Sequence, residues 1–189
     1  MELRLPQAIA ILRFGLLCLI VGLATIASAR AMATSEYQLK AVFLFNFAQF
    51  VEWPAQAFAS EQAPLGVCVL GPDPFGAELE AVMEGEHISG RPISIQRFDT
   101  STDIDACHLL FIGEDAENEL REALERLKGQ PVLTVGETAE FIAAGGMIRF
   151  YMEGNKVRLQ INPSVADESQ LRVSSKLLRS SQIVAKAEH

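Results

Sequence analysis

Between residues 65 and 161, short apolar runs alternate with longer amphipathic stretches, and this alternation limits the fold more than any other feature of the sequence. Residues 65–70 read as a buried strand. Gly71-Pro72-Asp73-Pro74 reads as a turn into a helix, with Asp73 as N-cap and Pro74 at the first helical position. Phe75, Leu79, Val82 and Met83 give that helix its buried stripe, and Gly85 ends it. Ile93 and Ile95 mark a second strand reaching Phe98, and residues 107–112 a third. The next helix starts among Glu114, Asp115, Glu117 and Glu119 and ends at Arg126 and Lys128, as the helix dipole favours, with Gly129 as its stop. Residues 131–135 read as a fourth strand, and a short helix through Phe141 is broken at Gly145-Gly146. Residues 147–152 and 156–161 pair as a hairpin across Glu153-Gly154-Asn155. From Pro163 the chain reads as helical, interrupted near residues 171–173. Strands alternating with helices require parallel pairing through crossovers. The expected fold is α/β: three layers, with a mixed, mostly parallel sheet of about five or six strands, a C-terminal antiparallel hairpin and flanking helices.

Upstream, Ser35 and Gln38 have the spacing of a capping box. The helix they open should run to about Phe50. Tyr37, Ala41, Leu44, Phe45 and Ala48 mark one apolar face, and Leu39, Phe43, Phe47 and Phe50 another. A helix apolar on two faces is buried between layers or covered by something else. Trp53-Pro54 ends the segment, because the residue before proline avoids the α region. The chain begins with Arg4 and Arg13, an apolar run over residues 14–27, and three overlapping A-x-A sites. That order reads as a secretory signal peptide, and the run is shorter than the roughly 20 residues of a spanning helix. The expected organisation is a signal peptide over residues 1–33, cleaved after Ala29 or Ala33, and a single domain over 34–189. With 16 Lys+Arg against 24 Asp+Glu the net charge is -8, and no basic stripe is available to neutralise phosphates, so nucleic acid is not an expected partner.

Removal of the leader takes Cys18 with it and leaves Cys68 and Cys107, an even pair in an oxidising compartment. Each sits in an apolar strand-like run. A disulfide between them is geometrically open if the strands are neighbours; two buried free thiols are the other reading. His87, His108 and His189 have no metal-ligand spacing, and no C-x-x-C is present, so no metal or other cofactor is expected. The chain has no G-x-S-x-G, P-loop or G-x-G-x-x-G. Paired acids such as Glu84/Glu86 and Glu114/Asp115 are accounted for by helix ends. A binding or regulatory protein is favoured over an enzyme. One weak candidate ligand pocket combines Trp53 with the loop carrying Gly71, Asp73 and Gly76, where a helix N-terminus would face the strand ends of an open α/β sheet.

The stretch from Tyr37 through Phe43-Leu44-Phe45-Asn46-Phe47 to Trp53-Pro54 resembles the opening of the YfiR/HmsC family of periplasmic proteins. The resemblance continues, in order, through Val67-Cys68-Val69-Leu70-Gly71, Asp73-Pro74-Phe75-Gly76, Gly90-Arg91-Pro92, Cys107-His108-Leu109, Pro131-Val132-Leu133, Gly145-Gly146-Met147 and Leu171-Arg172-Val173-Ser174-Ser175. It implies a periplasmic inhibitor of an inner-membrane diguanylate cyclase, acting on the cyclase's periplasmic sensor domain and lowering cyclic-di-GMP and biofilm formation. It also implies a homodimer, sequestration by an outer-membrane lipoprotein, and redox tuning. Cys68 and Cys107 match one family disulfide, while the positions of a second bridge are taken by Ile142 and Arg149. The block around Asn162, Ala166 and Arg172 matches a partner-contacting region, here with Pro163 and Glu168 within it. The alternatives are an input subunit for a transmembrane histidine kinase or other sensor, and a small-ligand binder.

Overall fold

The computed structural model describes residues 36–184. The signal peptide, its cleavage sites, Cys18, the Ser35 cap and His189 lie outside the described residues. The chain divides into Met1–Tyr37, almost all of it outside that range, and Gln38–His189, whose architecture follows.

Helix α1 covers residues 36–50 and runs directly into the two-residue strand β1 (Val51–Glu52). Strand β2 (Leu65–Leu70) is buried along its whole length, as a continuous apolar run with helices on both faces should be. Helix α2 (Ala77–Met83), strands β3 (His87–Ile88) and β4 (Arg91–Phe98), and a 3-10 segment (Ser101–Ala106) lead to β5 (Leu109–Ile112). Then follow α3 (Glu117–Arg126), β6 (Leu133–Gly136), α4 (Ala139–Ala143), β7 (Ile148–Glu153) and β8 (Lys156–Ile161). The last elements are α5 (Pro163–Glu168), β9 (Arg172–Val173), α6 (Ser175–Arg179) and β10 (Gln182–Ile183).

The main sheet has the order β10-β8-β7-β6-β5-β2-β4-β3. Pairing is parallel from β4 across to β7 and antiparallel in the β7–β8 hairpin, where Glu153 faces Lys156 across a two-residue turn. The six inner strands are those legible in the sequence. The sheet is wider than expected because β3 and β10, two residues each, add an antiparallel and a parallel edge. A separate ribbon pairs β1 with β9 antiparallel, Val51 opposite Val173 and Glu52 opposite Arg172. That ribbon is the interruption read near residues 171–173.

Strand alternation divides the core into two layers. Cys68, Leu70, Leu110 and Ile112 point to one side and pack with Leu120, Ala123 and Leu127 of α3 and Phe141 of α4. On the other side Phe75 meets the edge of Phe111 at 4.8 Å, and Phe47 of α1 stacks on Phe150 of β7 at 5.6 Å. The three-layer expectation therefore holds. Helix α1 buries Ala41, Leu44, Phe47 and Ala48 and leaves Leu39 44% and Val42 40% exposed.

Candidate functional site

The strand order reverses between β2 and β5: β2 leads through α2 to β4 on one side, and β5 through α3 to β6 on the other. Ligands of open α/β sheets sit outside the carboxyl ends of the strands at such a reversal. Here the chain fills that crevice itself. Gly71 (φ +86) lies so close to the residue that caps α3 that an added Cβ would be 2.6 Å from Ala116 Cβ. Asp73 does not cap α2. Its Oδ1 accepts from Phe75 N at 2.8 Å and its Oδ2 from Arg97 Nε at 2.7 Å. The side chain thus closes a local turn, and the helix starts at Ala77, after Gly76 (φ +53), rather than at Pro74. Arg97 also donates to Glu80 and to the Gly76 carbonyl. Its hydrogen bonds raise the guanidinium pKa and hold the Glu80 carboxyl below its usual range. Two carboxylates against one guanidinium leave the loop a poor anion site. Trp53 is not there either: it lies at the opposite end of the strands. The expected pocket of Trp53, Gly71, Asp73 and Gly76 is therefore not assembled.

Trp53 belongs to a different constellation, at the amino ends of β5 and β6. Its Nε1 donates to the His108 carbonyl at 3.1 Å, which also accepts from Leu133 N. The His108 ring accepts from Gly66 N through Nδ1 at 3.0 Å and faces the Ala57 carbonyl through Nε2 at 3.1 Å. Phe58 stacks on it at 4.3 Å, and the Arg91 guanidinium covers Phe58. Burial, as the main cause, pushes the His108 pKa below its ordinary value. Next to it Cys107 is bonded to Cys68, with Cα atoms 5.9 Å apart and both residues buried. That resolves the two cysteine readings in favour of the bridge.

The β1–β9 ribbon sets Arg172 opposite Glu52 and next to Trp53. Glu52, Trp53, Asp167, Gln170 and Arg172 thereby line an open surface cleft of about 500 Å³. Gln170 sits at φ +60, its amide oxygen accepting from Gln56. The cleft offers an indole, two carboxylates and a guanidinium, a set suited to recognition. Among the described residues no group of three His, Cys, Asp or Glu is placed to hold a metal. No described helix is long and apolar enough to cross a membrane.

A family profile described as YfiR/HmsC-like matches residues 37–182, from the start of α1 to β10. The chain belongs to the YfiR/HmsC-like family. Among solved structures, an ABC domain in complex with L-Trp from Streptococcus pneumonia overlaps 64% of this chain and 55% of that one, at 9% identity and a TM-score of 0.46. The chain thus spans about half the length of that protein.

In this YfiR/HmsC-like protein the residues matched to a partner-contacting region differ in what they offer. Arg172 is exposed in the cleft beside Trp53, and Asn162 is half-buried at the start of α5. Ala166 is 0% exposed and presents no surface, a correction to its expected role; it packs α5 inward. At the positions matched to a second bridge, Ile142 packs against the core, and Arg149 donates to the Glu137 carbonyl at 2.9 Å and to Gln160. Glu52, Asp167 and Gln170 were missed from sequence. The pairing that gathers them is two residues long and joins distant segments, so no periodicity announces it.

Proposed function

We propose that the mature chain is an exported, periplasmic regulator that works by binding, with no chemical step. Residues 1–33 serve as its export signal, and residues 34–189 act as one domain. Its target is the periplasmic sensor domain of an inner-membrane diguanylate cyclase. Binding one conformer of that domain shifts its population and lowers cyclic-di-GMP, and with it biofilm formation. The observation that carries this reading is the YfiR/HmsC-like match over residues 37–182. The cleft between Trp53 and Arg172 supports it as a contact surface, since aromatic and arginine side chains dominate binding hot spots. Homodimer formation and capture by an outer-membrane lipoprotein belong to the same reading.

Deleting the gene should raise cellular cyclic-di-GMP, and restoring it should reverse the rise. An unchanged level, with the protein present in the parent strain's periplasm, overturns the proposal. Crosslinking through the protein's own surface in intact cells should recover a membrane protein carrying a cyclase domain. Recovery of a histidine kinase instead would move the target, not the mode of action. Arg172→Gln, which removes the charge without setting a carboxylate opposite Glu52, should weaken that capture while leaving the melting temperature unchanged.

A further inference from the structure

A second cleft, of about 410 Å³, opens between α3, the Ala144-Gly145 turn and α5, and shares no lining residue with the Trp53–Arg172 cleft. Its size is that of a small-molecule site. Leu124, Leu127, Met147 and Val165 supply apolar walls. The methionine adds an adaptable, polarizable surface.

Three polar groups of this cleft keep a donor that nothing among the described residues accepts. Ser169 is 2% exposed and lines the cleft, and its hydroxyl makes no hydrogen bond among the described residues. Every fully enclosed side-chain polar atom among those residues does have a partner. The Ser169 oxygen therefore borders open space, and at Ser169 that space is the cleft. Thr134, equally buried, accepts from Met147 N at 3.1 Å, and its own proton has no acceptor among the described residues. Lys128, on the rim, has no partner there either, whereas Arg121 at the mouth is held by Glu140. A hydroxyl facing the cleft is met there by water, and a ligand that displaces the water must supply an acceptor in its place.

Two donors and an unpaired ammonium call for an anionic, acceptor-rich head. Apolar walls call for a hydrocarbon body. Glu125 and Glu168 on the same rim disfavour a second negative charge. From this arrangement we propose that the cleft between α3 and α5 binds a small monocarboxylic acid with an apolar body, its carboxylate toward Ser169, Thr134 and Lys128. The inference stands apart from the regulatory reading above: loss of either leaves the other intact.

The test uses the chain as purified from expressing cells, titrated calorimetrically with octanoate, 1-octanol and octylamine. Octanoate should bind saturably, octanol more weakly, and octylamine not at all. Ser169→Ala and Lys128→Gln should each weaken octanoate about two- to tenfold, the worth of one hydrogen bond or charge contact, with unchanged melting temperatures. Leu124→Trp should fill the cleft and abolish binding; if that variant does not fold, the other two carry the test. Absence of saturable octanoate binding overturns the proposal. So does octylamine binding as tightly as octanoate, or unaltered affinity in both polar variants.

Discussion

Because Gly66 N–H is donated to Nδ1 of His108, the ring proton sits on Nε2, toward the Ala57 carbonyl. A second proton would set N–H against N–H in a buried place. Burial, the main cause, holds its folded pKa below the 6.5 of an ordinary imidazole, and the sign of the pH effect follows. Above that value neither state takes a proton and His108 adds no pH dependence. Below it the unfolded chain binds a proton that the folded chain refuses, so stability falls as pH drops, by up to about 1.4 kcal/mol per unit. Urea unfolding at pH 5.5 and 7.5 should show this, and His108→Phe should lose that part of the slope. The same variant should be less stable at pH 7.5 by about 1–3 kcal/mol, since Gly66 N–H loses its acceptor. Gly146 is a second residue fixed by its neighbours. An added Cβ would lie 2.2 Å from the ring of Phe141, itself buried. Gly146→Ala should lower stability by about 1–3 kcal/mol through overpacking, read as a lower midpoint in thermal melts. Gly145-Gly146 was legible as a helix stop. The pressure of Phe141 on Gly146 was not, because it depends on how α4 lies on the sheet.

Elements were legible where their own side chains decide them. The unbroken apolar run of β2 and the Gly154-Asn155 turn between β7 and β8 settle those elements locally. The start of α2 was misplaced because Asp73, a good N-cap residue, binds Phe75 N and Arg97 instead. Strands β3, β9 and β10 are two residues each and exist through pairing with segments already in place, so composition does not reveal them. Helix α1 shows the limit of hydrophobicity as a guide. Its exposed Leu39 and Val42 matter less to the fold than Lys40, which is buried and ion-paired with Glu137 in the loop after β6. Lys40→Ala takes the lysine away from the half-buried Glu137 carboxylate and should cost about 1–3 kcal/mol. Leu39→Ser and Val42→Ser should each stay within about 0.5 kcal/mol of the parent. Chemical denaturation of the three variants separates the effects.

At the scale of the whole molecule, the fold class was readable because alternation of strands and helices leaves few topologies. The candidate site was only half readable: Trp53, Arg172 and the two cysteines stood out, but their neighbours did not. The Cys68–Cys107 bond joins the middle of β2 to the approach to β5, with both cysteines among the core residues beneath α3. A dissolved reductant has no path to it while the domain is folded. Dithiothreitol should leave the bond intact in native buffer and cleave it in urea, as counted by thiol labelling. Replacing both cysteines with alanine should cost roughly 4 kcal/mol in the chain-entropy account, given the loop they enclose. The β1–β9 ribbon has a different reach. It buttons the stretch leaving the first helix to one near the tail, so the two cannot loosen separately. A chain stopped just before Arg172 would lose the outer half of that fastening, with α6 and β10 behind it, and unmoor the sole tryptophan beside it, so its fluorescence should shift to the red.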